Sequence, residues 1–434
     1  MKSSALSLAL SIVVSISSAV PLLILRADNS SSEIGSFISE ESSTSAKKMV
    51  ANIDPEGAAT GFIAASPSKS NPDDGSDYEK YLKDYVTFQI NAMGESTVCN
   101  CLGEPKFNAD CTSYTGAWGR PQNDGPATRA TAFMLIADAL SGNSSYVNDT
   151  LTPAIKRDLD YVTSVWQNAC YDLWEEVNGV HFYTLMVMRR ALKEGASFLG
   201  NSSYSETASF IEDKLQSFYS ESDGYVTVTQ DNAGGVDYKS SGLDASTLIA
   251  ANLGGMGDGF FTPGSDKILA TSLAIKSAFA DLYTINKDNS SGLAPAIGRY
   301  PEDKYDGIST SEGNPWFLTT LAFPELYLRA IDEWKAAGSV KVSDISEAFF
   351  KQFDLSAVSG TEYSADSKEF ANLTAAIKAE AETFFARVQH HITDGSMTEE
   401  IDRDSGEQVG AHDLTWSYAS FITAAAAYNG SPVS

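Results

Sequence analysis

Eight stretches, at 127–141, 151–168, 181–198, 204–220, 266–286, 316–336, 367–391 and 414–427, repeat apolar residues at i, i+3 and i+4. That is the period of a helix with one buried face. Strand-like runs are few and short, "GYVTVTQD" at 224–231 being the clearest. Paired helices over some three hundred residues, with no fixed-period repeat of the solenoid kind, predict an all-α chain closed into a toroid. The connections are not uniform. Stretches 112–126, 254–265 and 289–315 are long and rich in Gly, Asn, Asp and Pro, and loops of that length in a helical protein are where function concentrates. Residues 27–80 are rich in serine and polar, with "SPSKSNPDDGSD" reading as loop.

Charge narrows the partners. Asp and Glu outnumber Lys and Arg 57 to 30, for a net charge of −27. A surface so acidic excludes nucleic acid and anionic membrane as partners, since both need cationic patches, but is indifferent to a neutral partner such as a sugar. The N-terminus, "MKSSALSLALSIVVSISSAVPLLILR", has the lysine, apolar run and small-residue site of a signal peptide over 1–26. A single anchoring helix is the competing reading, weakened by the serines and Pro21. Seven N-x-S/T sequons, at Asn29, Asn143, Asn148, Asn201, Asn289, Asn372 and Asn429, suit a secreted glycoprotein. The four cysteines, Cys99, Cys101, Cys111 and Cys170, allow up to two disulfides in three pairings. No Cys/His cluster matches them, so no metal and no cofactor is expected. A monomer is expected.

Four loops share one composition: carboxylates, aromatics, and arginine or amides. They are "SYTGAWGRPQNDGPATRA" (113–130), "CYDLWEEVNG" (170–179), "GRYPEDKYDG" with "GNPWFL" (298–318), and "DSGEQVGAHDLTWSYAS" (404–420). Flat aromatic faces with amide and guanidinium donors suit a polyhydroxylated ring. Paired carboxylates suit glycoside hydrolysis, which needs a proton donor to the leaving oxygen and a second carboxylate for water or the anomeric carbon. Other chemistries lack their signatures: there is no G-x-S-x-G elbow, and "GGMGDG" at 254–259 follows no convincing strand. Simpler roles are open for some of these residues. Asp124 and Asp413 can be helix N-caps, and Arg120 can pair with Asp124.

The same blocks, in the same order, closely resemble the fungal glucoamylases of glycoside hydrolase family fifteen, over roughly residues 36–428. The resemblance implies an (α/α)₆ barrel with active-site loops at one end. It also implies release of β-D-glucose from the non-reducing ends of starch and maltooligosaccharides by an inverting mechanism. Carried over position by position, it makes Glu175 the general acid and Glu407 the general base, with Asp172 an aspartate sometimes given a catalytic role. Trp118, Glu176, Arg299, Tyr114, Trp174 and Trp316 become substrate-binding residues. The chain past residue 26 reads as one catalytic domain, with no starch-binding module.

One departure is large. Family members follow the "ASPS…NPD" block with Tyr-Thr-Trp-Thr-Arg-Asp, whose Arg-Asp pair grips glucose, and then a barrel helix. Here "ASPSKSNPDD" runs directly into "GSDYEKYLKDYVTFQINA". One barrel helix is therefore expected to be missing, leaving apolar faces of its neighbours uncovered. Two alternatives to a glucoamylase-type enzyme stay open: a catalytically impaired glucan-binding paralogue, and a glucosidase of other linkage preference, such as one acting on trehalose or dextran.

Overall fold

The structure is a computed structural model that describes residues 33–66, 78–287 and 292–431. The signal-peptide reading of 1–26, the junction at 67–77 and the sequons at Asn29 and Asn289 lie outside the described residues. Eleven helices of nine or more residues make the body: α1 (Glu33–Ala51), α2 (Tyr78–Gly94), α3 (Asp124–Ala139), α4 (Thr152–Val165), α5 (Phe182–Leu199), α6 (Ser202–Gln216), α7 (Ser246–Gly254), α8 (Asp266–Phe279), α9 (Phe317–Ala337), α10 (Lys368–His391) and α11 (Thr415–Tyr428). No described helix is long and apolar enough to cross a membrane.

Burial sorts these helices into two rings. Helix α3, "DGPATRATAFMLIADA", buries thirteen of its sixteen residues; α11, "TWSYASFITAAAAY", buries twelve of fourteen. Helices apolar on nearly every face belong inside, and α5, α7 and α9 share the pattern. By contrast α10 buries only ten of twenty-four and α6 five of fifteen, each along a single stripe. The inner neighbours α3–α5, α5–α7, α7–α9 and α9–α11 pack together, and outer helices back onto them, as α4 does on α3, α6 on α5 and α10 on α9. A buried ion pair, Arg129 to Asp158, ties α3 to α4 at 2.8 and 2.5 Å.

Outer and inner helices alternate along the chain, except that α1 and α2 are both outer. The described residues thus hold five inner helices and six outer ones, where six pairs require twelve, and no packing of comparable extent joins α11 to α3. The flanks of this open position are nonetheless buried, including Phe133, Met134 and Ile136 on α3 and Phe421 and Ile422 on α11. The expected exposed faces are not found. Part of the reason is that outer helices lean in: Phe37 of α1 meets Phe421 edge-on at 5.6 Å, and Tyr85 of α2 meets Phe133 at 6.2 Å. Between α7, α9 and α11 lies a small pocket, partly open to solvent, lined by Leu318, Ala322, Trp416 and Ala419 among others.

The loop reading of "SPSKSNPDDGSD" lies outside the described residues but for Ser66, while the polar, serine-rich stretch 27–80 holds a helix that its composition does not announce, α1. Its hydroxyls are satisfied within the helix, Ser42 donating to the Ile38 carbonyl at 2.6 Å and Ser45 to Glu41 at 3.0 Å, while Ile38 and Met49 pack into the core. Every loop of interest runs from an outer helix to the N-terminus of an inner one: 95–123, 166–181, 217–245, 280–316 and 392–414. Since the inner helices run parallel, these loops gather at one end of the barrel.

Candidate active site

Residues 170–181 form a hairpin. Strand β1 (Cys170–Tyr171) pairs antiparallel with β2 (Val177–His181), Cys170 opposite Gly179 and Tyr171 opposite Asn178. Strands β3 (Tyr219–Ser220) and β4 (Tyr225–Val226) pair with each other, and β5 (Thr229–Gly235) adds to the free edge of β2. Asp172 closes the hairpin loop. Its amide donates to the Val177 carbonyl at 2.9 Å, and its Oδ1 accepts from the amides of Glu176 at 2.7 Å and Val177 at 2.9 Å. Burial works against the charge on Asp172, but Lys239, His181 and the two amides hold its carboxyl below the usual range.

Glu175 sits at φ +67°, a left-handed conformation that costs a non-glycine residue energy and recurs at functional sites. That turn separates two adjacent carboxylates. Glu176 faces the 298–318 loop, where its Oε1 accepts from Arg299 at 2.8 Å and its Oε2 from the Tyr300 hydroxyl at 2.6 Å. Burial raises the pKa of Glu176, with Arg299 opposing. Glu175 instead lies in the field of the Lys106 ammonium. Two glycines let neighbouring loops press onto the hairpin. A Cβ on Gly119 would meet the Tyr171 ring at 2.6 Å and the Glu175 carbonyl at 3.1 Å, and one on Gly235, at φ +89°, would meet the Glu176 carbonyl at 2.0 Å.

Gly119 brings in the 113–123 loop. Trp118 and Tyr114 stand edge to face at 6.1 Å, with the Lys106 ammonium 3.4 Å from the Trp118 ring centroid. Arg120 does not pair with Asp124. It bonds Glu104 at 2.6 Å and the carbonyls of Gly116 and Tyr114 at 3.0 and 2.8 Å, bracing the loop. Asp124 is the first residue of α3 rather than its cap, which is Asn123, and burial pushes its carboxyl up to about 7.

Arg299 is the hub. Its guanidinium grips Asp303 at 2.7 and 2.6 Å as well as Glu176. The rings of Trp174, Tyr300, Tyr305 and Trp316 surround it at 5.2–5.5 Å. Trp174 packs on both Trp316 and Trp416 at 5.8 Å and donates its indole N–H to Asp244 at 2.8 Å.

The fourth loop departs from expectation. Strands β8 (Glu400–Ile401) and β9 (Gln408–Val409) form a hairpin; β6 (Ser339–Lys341) and β7 (Glu362–Ser364) form another, remote one. Glu407 lies at the turn of the β8–β9 hairpin, exposed, with its backbone engaged by Ser405 and Asp402. Nothing brings it to Arg299. What does face the hub is a second adjacent pair, Glu399 and Glu400. Glu399 accepts from the Tyr305 hydroxyl at 3.2 Å and the Ala411 amide at 3.4 Å; burial raises its pKa against the pull of Arg299. Glu400 is wholly buried and accepts from Asn314 at 2.9 Å. Burial, with Glu399 adding to it, pushes its carboxyl up to about 9. Asp413 likewise is not the cap of α11, a place taken by Leu414; it pairs with Lys48 of α1 at 3.1 Å and accepts from the Tyr418 hydroxyl.

The structure thus brings together Glu175, Glu176, Asp172, Arg299, Trp174, Trp316, Tyr114 and Trp118, and leaves Glu407 outside. Sequence reading passed over Glu399, although "MTEEIDRD" repeats the adjacent-glutamate signature of "LWEEVNG". Among the cysteines, Cys99 and Cys101 are joined, while Cys111 and Cys170 are free.

The family model described as Glycosyl hydrolases family 15 matches residues 74–426. Glucoamylase 1 of Rhizopus oryzae is 52% identical over 437 residues, covering 92% of this chain and 72% of its own. Glucoamylase GLU1 of Saccharomycopsis fibuligera is 31% identical, covering 90% of each. Among solved structures, the family 15 glucoamylase of Hypocrea jecorina superposes with a TM-score of 0.83 at 33% identity, over 93% of this chain and 73% of that one.

Proposed function

The chain belongs to glycosyl hydrolase family 15, and we propose that it works with Glu175 as proton donor and Glu399, not Glu407, as the base. It is an exo-acting glycoside hydrolase of the glucoamylase type that takes starch and maltooligosaccharides from their non-reducing ends. The observation that carries the assignment is the meeting of two adjacent-glutamate pairs at one arginine. Glu176 is bonded to Arg299, and Glu399 and Glu400 lie in its field.

Each pair divides its labour. On the hairpin, Glu176 is spent on Arg299 and Tyr300, while the left-handed turn at Glu175 directs that carboxyl elsewhere, toward the Trp118 loop. There it can protonate the glycosidic oxygen as the bond breaks. On the other loop, Glu400 keeps its proton, so Glu399 is the member that ionises. Its raised pKa makes it a better acceptor for the proton of a water attacking the anomeric carbon. Inversion requires the two carboxyls to stand roughly 6.5–9.5 Å apart across that water. Trp118, Tyr114, Trp174 and Trp316 supply ring faces, and Arg299 a cation, around the sugar. Asp172 is a support: its carboxylate is consumed by the hairpin amides and Lys239.

Secretion as a monomer is part of the proposal. Five sequons within the described residues, Asn143, Asn148, Asn201, Asn372 and Asn429, are exposed or half-exposed and would accept glycans in the secretory path. The five inner helices among the described residues, one short of six, favour a second reading, an impaired glucan-binding paralogue. Proton NMR of fresh product from maltooligosaccharides separates the two. Initial β-glucose supports the inverting enzyme, initial α-glucose refutes the acid–base assignment, and no glucose favours the binder.

A further inference from the structure

Beneath the Glu175 hairpin lies a buried cation that this mechanism does not use. Lys239 follows β5, just after Val236 donates its amide to the Glu176 carbonyl at 3.0 Å, and its side chain is only 7% exposed. Its ammonium stands 2.7 Å from Asp244 Oδ2 and 3.4 Å from Asp172 Oδ2, and 4.0 Å from the centroid of the Tyr300 ring. Each neighbour is itself committed to the site. Asp172 holds the amides of Glu176 and Val177, Asp244 holds the indole of Trp174, and Tyr300 donates to Glu176. The buried ammonium favours the charged form of Asp172, and an ionised Asp172 accepts hairpin amides more strongly than a neutral one.

We infer that Lys239 is a positioning residue for the proton donor, tying the Glu175 hairpin through Asp172 to the Trp174 ring through Asp244. The inference rests on the reading of Glu175 as donor. The geometry explains why a lysine is buried here at all. The left-handed turn at Glu175 is held by Asp172, and without Lys239 two buried carboxylates would be left to repel each other, one of them free to take a proton and release its amides. Lys239 touches no reacting atom in this scheme; it acts through Asp172 and Asp244.

The test uses the full chain with Lys239→Met, Lys239→Arg, Asp172→Asn and the double variant K239M/D172N, read in two ways. The first is the indole N–H resonance of Trp174, with that of Trp334, bonded to Gly264 at 3.1 Å on a distant part of the fold, as internal reference. The second is the separation of kcat from KM on maltoheptaose. K239M is expected to move the Trp174 resonance, leave that of Trp334, and lower kcat about 100-fold, as loss of positioning does, with KM changed far less. K239R should restore most of both. Since one of its two arms runs through Asp172, the double variant should fall short of the product of the two single effects. An unmoved Trp174 resonance, a kcat equal to the parent's, multiplying effects in the double variant, or a K239R as impaired as K239M would each overturn the inference. A parent without turnover would overturn the functional reading instead, leaving the brace itself to be supported or refuted by the indole resonance.

Discussion

Replacing Glu400 by glutamine should change how stability depends on pH in a way that can be worked out from one buried carboxyl. Glu400 has no exposed surface, and its pKa rises from 4.5 to about 9. In the unfolded chain the group ionises above its ordinary value; in the folded chain it keeps its proton until about 9. Between those limits the folded state binds one more proton, so the parent loses stability as pH rises, by about 1.4 kcal/mol per pH unit from this group. From about pH 5 to pH 7 that amounts to roughly 3 kcal/mol. Glutamine does not titrate, so the variant lacks this slope. It keeps the carbonyl that accepts from Asn314 at 2.9 Å, but places an amide where Oε1 has no hydrogen-bond partner, at a pH-independent cost of about 1–3 kcal/mol. The variant should therefore be the less stable protein near pH 5 and draw level or overtake near pH 7. Urea titrations of both proteins at several pH values measure the difference directly, and titrations common to both cancel. A difference that stays flat between pH 5 and 7 would refute the claim that Glu400 is held protonated beside Glu399.

Glu175→Gln should abolish turnover, by at least the roughly 10²–10⁴-fold that proton transfer contributes, while leaving maltotriose binding by calorimetry largely intact; activity within tenfold of the parent would remove Glu175 from the donor role. Inserting the family's Tyr-Thr-Trp-Thr-Arg-Asp segment and its helix between Asp74 and Gly75 should raise both melting temperature and maltose hydrolysis, since it supplies a sixth inner helix and a grip on glucose whose lack can cost orders of magnitude in rate. Equal behaviour of the two proteins would show the segment to be dispensable.

The helical frame was legible because burial on one face leaves a 3.6-residue period, and α9, α10 and α11 fall within a residue of the expected limits. Helix α1 escaped notice because its buried face is largely polar, Glu41, Ser42 and Ser45 among it, so the period is muted. The hairpin stood out for a different reason: Asp172, Glu175 and Glu176 crowd into aromatic surroundings, where adjacent carboxylates are costly to bury. The placing of Glu407 was not legible, because composition cannot tell the turn of a hairpin from its root. The strand pairing of Glu400 with Val409 turns Glu407 out to solvent and leaves Glu399 beside Tyr305, and that register is a matter of three dimensions. Lys239 and Asp244 were invisible for the same reason, since Asp172 and Trp174, which tie them to the site, lie some seventy residues away.

The central claim is that Glu399 and Glu175 share the chemistry, and the most direct measurement is kcat on maltoheptaose for Glu399→Gln beside Glu407→Gln. Glu399→Gln should lose activity by roughly 10²-fold or more, the range expected for loss of a general base. Glu407→Gln, which changes an exposed side chain at a hairpin turn, should turn over like the parent. The reverse pattern, a dead Glu407→Gln and an active Glu399→Gln, would contradict the account.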